Sequence, residues 1–114
     1  MEATQLPEGV TPEMVEEFKK KHQGVVKCAK LLDPENGGDF GFAIVGKPGV
    51  FAINQFDKLV DKDPLKAKLA LINGTFCTRK EEIKTCDQAG NFFAACFDAA
   101  AQMLPVGKAE LKNL

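Results

Sequence analysis

The sequence predicts an α+β domain: a leading helix, one β-hairpin and then three helices. Three observations carry that prediction. A turn-rich stretch, Asp33-Pro34-Glu35-Asn36-Gly37-Gly38-Asp39, separates two β-like runs. After Lys47-Pro48-Gly49, apolar residues return at helical spacing. An alanine- and phenylalanine-rich stretch near the end is closed by Pro105 and Gly107. At 114 residues the chain fits one domain, because two would leave too little core for either.

Residues 1–10 have mixed polarity and no period, and read as a flexible leader to a domain over 11–105, with a tail over 106–114. Thr11-Pro12-Glu13 has the chemistry of a helix start: an acceptor side chain, a proline suited to the first turn and an acid at the positive end of the dipole. Met14, Val15 and Phe18 form its apolar stripe, and Gly24 stops it. The hairpin is predicted over about 25–32 and 40–45, with Phe40, Phe42 and Ile44 on its buried face and Asn36-Gly37 in its loop.

A helix over about 49–60 is anchored by Val50, Ile53, Phe56 and Val60. Asp63 and Pro64 then cap and begin a helix over about 64–73, buried through Leu65, Leu69 and Ile72 with Ala67 and Ala70. Asn73-Gly74 is a natural end for it, with Phe76-Cys77 as an alternative continuation of the packed face. Thr78 to Lys84 reads as a charged connector. Thr85 to Gln88 matches a capping box for the last helix, over about 86–104. From Phe92 onward that helix is apolar around nearly its whole circumference, which predicts burial in the domain or against a partner.

A net charge of -1 gives no electrostatic reason to bind nucleic acid. The lysines at 19–21 share their helical span with Glu13, Glu16 and Glu17, and read as a solvated face. Met1 to Gln5 has neither a basic nor an apolar signal-peptide region, and Phe92 to Leu104 is too short to cross a bilayer. The chain is therefore expected in the cytoplasm, with no membrane partner.

The search for chemistry predicts no enzyme, no cofactor and no catalytic or metal-binding residue. Cys28, Cys77, Cys86 and Cys96 form no CxxC pair, and read as reduced structural thiols. His22, the one histidine, closes a lysine-rich helix end, where it complements the dipole. Glu16-Glu17 and Glu81-Glu82 are adjacent and point to different helix faces. Asp33, Glu35, Asn36 and Asp39 lack the order of a calcium loop, and neither glycine-rich stretch has phosphate-loop spacing.

Several features in one order carry a resemblance. They are Val10 to Lys19, a β segment after Gly24, a strand ending in Lys47-Pro48, the Asp63-Pro64 junction, a helix closing on Phe76-Cys77, and Glu81-Glu82-Ile83-Lys84-Thr85 before a final helix. Over residues 10–104 this pattern resembles the small tail assembly chaperone-like proteins of bacteriophages and prophages. The resemblance implies a non-enzymatic protein in a bacterial host cytoplasm that binds the tail tape-measure or tail-tube protein. It also implies capture of a partner helix on an apolar face. The candidate partner-binding residues are then Phe51, Phe56, Phe92, Phe93, Phe97, Met103 and Leu104, although core is the default reading for most of them. The alternatives are a bacterial interaction module forming a homo-oligomer, a dimer through the alanines of the last helix, and a small-ligand-binding protein.

Overall fold

The computed structural model describes residues 6, 7, 9–105, 107 and 109–114. Along the chain the elements are α1 (Pro12–Lys21), β1 (Val26–Leu32), β2 (Asp39–Gly46), α2 (Val50–Leu59), α3 (Pro64–Thr75), α4 (Lys80–Thr85) and α5 (Asn91–Gln102). The fold class is α+β, in the predicted order. The predicted leader over 1–10 and the tail from 106 fall partly outside the described residues.

Two helix starts form as their residues dictate. Thr11 Oγ1 accepts the Met14 amide at 3.2 Å ahead of Pro12. Asp63 Oδ1 accepts the Lys66 amide at 3.2 Å ahead of Pro64. Gly24, with φ +81°, ends the α1 turn by donating its amide to Lys19 O at 2.7 Å.

β1 and β2 form an antiparallel pair in which Cys28 faces Ile44 and Ala29 faces Ala43. The phase of the hairpin differs from the predicted alternation. Between the Lys30–Phe42 and Leu32–Asp39 pairs, β2 holds two residues, Phe40 and Gly41, opposite the single Leu31. This is a bulge, and Gly41 with φ +91° supplies the backbone geometry it needs. Phe40 therefore turns to the α5 side and meets Phe92 edge-to-face at 5.5 Å, whereas Phe42 turns to the other face and is 48% exposed. The core-facing residues of β2 are Ala43 and Val45. Ile44 is buried on the opposite face, alongside Val15 of α1.

The helices after the hairpin also depart from the predicted pattern. α2 packs chiefly on α3, and its buried residue is Ala52, set against Gly74. That contact fixes the rotation of α2 and leaves the predicted anchor Val50 exposed, with Val60 at its exposed C-terminal end. α3 runs through Asn73-Gly74 to Thr75 and buries Ala67, Leu71, Ile72 and Thr75, while Leu65 is exposed.

The predicted connector after Thr78 holds a helix, α4, and the last helix begins at Asn91 rather than Cys86. Thr85 does not cap forward. Its hydroxyl donates back to Glu81 O at 3.0 Å, as at a helix end. Asp87 Oδ1 accepts the Ala89 amide at 2.9 Å, and Asp87 O accepts the Gly90 amide at 2.9 Å. This side-chain-closed turn competes locally with the helix and delays its start.

The core lies between one face of the hairpin, α3 and α5, around Leu31, Val45, Leu71, Phe76, Phe93 and Cys96. After α3, Phe76 adopts extended backbone and bridges to Val45, so residues 76–79 run along the outer edge of β2.

Candidate functional site

The seven candidate partner-binding residues occupy different environments. Phe93 and Met103 lie inside the core, at 2% and 8% exposure. Phe92 is held between Phe40 and the Arg79 guanidinium, whose Cζ lies 5.4 Å from the ring centre. Phe56 and Phe97 stack at 6.1 Å, and Lys68 Nζ sits 5.2 Å from the Phe97 ring centre. Leu104 packs on the core from its margin. Phe51 alone of the seven stands in solvent, at 77% exposure, and its neighbour Val50 is 72% exposed.

The reason is local. Ala52 must face Gly74, and the residues just before it on the first turn of α2 are rotated outward. Gly49 caps this helix with no side-chain bond. Val50 and Phe51 are the most exposed large apolar side chains of the helices.

The cysteines and the histidine sit in partly or fully buried surroundings. The four cysteines are free. Burial pushes the Cys77 thiol up to about 11 and the Cys96 thiol up to about 12, and raises Cys28 and Cys86 as well. All four stay protonated, and so poorly nucleophilic, at neutral pH. His22 caps α1 with its ring against Gly46, and Nδ1 lies 2.9 Å from Lys47 O. A carbonyl only accepts, so Nδ1 carries the proton in that bond.

Arg79 is the strongest tie that sequence reading missed. It forks onto Glu82, with Nε and Nη2 donating at 2.7 and 2.8 Å, while Nη1 donates to Phe42 O at 3.1 Å. These bonds hold the Glu82 carboxyl below its ordinary range. The Arg79 backbone sits at φ +65°, a conformation invisible in an isolated Thr-Arg-Lys stretch.

The hairpin loop is tied to α5 through Asp33, which is buried. It accepts from the Asn36 amide and side chain at 3.3 and 3.1 Å and from Asn91 Nδ2 at 3.1 Å. Asn91 Nδ2 also reaches Glu35 Oε2 at 3.2 Å. The Asn36 side-chain bond, against the opposing effect of burial, keeps the Asp33 carboxyl below its ordinary value, helped by the Asn36 amide, Asn91 and the Glu35 amide. A depressed folded-state pKa means the unfolded chain binds the proton more tightly. The contribution is then complete above the unfolded value of about 4 and fades as pH falls through the folded one. Asp33→Asn should thus melt below the wild type at pH 7, with the gap closing as the pH drops below about 4. A gap independent of pH would remove the carboxylate from this role.

Among the described residues, no group of three His, Cys, Asp or Glu side chains is placed to hold a metal ion, and no helix is long and apolar enough to cross a membrane. Comparison with family profiles, with curated proteins and with solved structures returned no match.

Proposed function

We propose that this chain is a non-enzymatic, protein-binding protein of the tail assembly chaperone-like kind, acting in a bacterial host cytoplasm on a tape-measure or tail-tube protein. The observation that supports it is the solvent-exposed pair Val50 and Phe51 on the first turn of α2. An apolar helix of the partner laid across this pair would cover it and be kept from self-association in return. Of the residues first nominated, Phe51 carries the contact, while Phe93 and Met103 hold the domain together. In α5, Ala99 and Ala100 face the chain's own core, which narrows the alanine surface left for a symmetric dimer.

Co-expression with the tape-measure protein encoded in the same genome tests the reading. The two proteins should co-elute. Phe51→Asp should leave the melting temperature nearly unchanged, since exposed substitutions shift stability by only about 0.5 kcal/mol. It should weaken binding by about tenfold or more, as expected for a central aromatic contact worth roughly 2 kcal/mol. No co-elution, or undiminished binding by the variant, would contradict the proposal.

A further inference from the structure

The fold treats the two edges of its sheet differently. On β2, Ile44 N–H donates to Thr78 Oγ1 at 3.0 Å, and Ile44 O accepts the Cys77 amide at 2.8 Å. Phe42 O accepts from Arg79 Nη1 at 3.1 Å. Ile44 and Phe42 therefore turn their backbone groups away from β1. In an antiparallel ladder, opposed residues share that alternation. Cys28 and Lys30, their partners across the pair, must turn N–H and C=O away from β2. Among the described residues no strand pairs with that edge of β1.

The open edge runs between two hollows. On the α5 side lies one of about 580 Å³, walled by Ala29, Ala94, Ala95, Ala99 and Met103. On the α1 side lies one of about 440 Å³, walled by Leu6, Val15, Val26 and Ile44. Lys27 and Cys28 border both. Successive side chains of a strand point to opposite faces. An extended segment laid along β1 would drop alternate side chains into the two hollows while its backbone took up the outward groups of Cys28 and Lys30. A helix offers no such fit, because its own backbone groups are already paired.

Charge selects the occupant. Lys19, Lys27 and Lys30 border the hollows. Lys19 and Lys30 hold only long, exposed ion pairs, at 3.7 Å to Glu16 and 3.9 Å to Asp39. Lys27 has no ion pair among the described residues. The carboxylate bordering the α5-side hollow, Asp98, already accepts from Gln102 Nε2 at 2.8 Å. A second copy of β1 would bring its own Lys27 and Lys30 into this seam, and edge lysines are a common guard against such self-pairing. We propose that the open edge of β1 docks an extended segment of another protein as a third strand, apolar at successive positions and flanked by acidic residues. The site is separate from the Val50–Phe51 surface, and either can fail without the other.

The test uses the isotope-labelled full chain and two capped synthetic peptides, each a short alternating valine–alanine run. One is flanked by glutamates, the other by lysines. The glutamate peptide should slow amide exchange at Cys28 and Lys30 by about tenfold, leaving the already paired Lys27 and Ala29 amides unchanged. The lysine peptide should bind about fivefold more weakly, the size of a modest exposed charge effect. Lys27→Glu with Lys30→Glu, both exposed changes, should reverse the preference while the protein still melts cooperatively. Equal affinity for both peptides would overturn the proposal, as would no binding at millimolar peptide or protection away from the outward-facing amides of Val26, Cys28 and Lys30. A peptide-free dimer with those amides already protected would also overturn it, by naming a second copy as the occupant.

Discussion

Phe76→Ala should remove about 3–5 kcal/mol of stability, the range for emptying a fully buried aromatic site. Phe76 is 1% exposed and sits where α3 gives way to extended chain. Its amide donates back to Ile72 O at 2.8 Å, and the next amide, Cys77, donates to Ile44 O at 2.8 Å. The ring therefore fills the core at the point where the backbone crosses from helix to sheet edge. Small domains have only about 5–15 kcal/mol in total, so the variant should unfold at far lower denaturant than the wild type. Phe76→Leu should retain most of the stability. Urea unfolding followed by circular dichroism measures both. A loss below about 1 kcal/mol for Phe76→Ala would place this ring outside the core.

Gly74→Ala should destabilise, although alanine is the better helix former by about 1 kcal/mol. Gly74 lies inside α3, and a Cβ added there would come within 2.4 Å of the Ala52 Cβ of α2. Both atoms sit on helix backbones, so relief requires the helices to part rather than a side chain to rotate. Overpacking of this kind costs about 1–3 kcal/mol, enough to reverse the sign that propensity alone would give. Ala52→Gly alone should also cost about 1 kcal/mol. Combined with Gly74→Ala, however, it returns the methyl group from the other side of the same contact. The double variant should be more stable than the sum of the two single changes indicates, by about 1 kcal/mol or more. Thermal melts of the four proteins complete the cycle. Stabilisation by Gly74→Ala alone would mean that α2 and α3 do not cross here.

The parts of this fold legible in the sequence are those fixed by neighbours along the chain. Thr11-Pro12 and Asp63-Pro64 begin helices because capping needs only a side chain and an amide a few residues away. The hairpin was legible for the same reason, its loop being dense in turn formers. Its phase was not, because the bulge at Phe40-Gly41 exchanges the faces of Phe40 and Phe42 and has no signature beyond a single glycine. Gly74 reads as a terminator until the helix it contacts is known. The box at Thr85 to Gln88 has the right residues, yet the Thr85 hydroxyl bonds backward and Asp87 closes its own turn.

The candidate site was legible to a lesser degree. Nine phenylalanines offered as many anchors, and only tertiary packing separates exposed Phe51 from buried Phe93. Lys27 and Lys30 within an otherwise apolar strand were the trace of the open edge of β1.

A residue-resolved footprint tests the central proposal, partner binding through the first turn of α2, most directly. The isotope-labelled chain would be titrated with the tape-measure protein from the same genome and followed by two-dimensional NMR. The expected result is shifts centred on Val50 and Phe51, with the core signals of Phe93 and Met103 unmoved. Saturating addition that leaves Val50 and Phe51 unshifted would contradict the account.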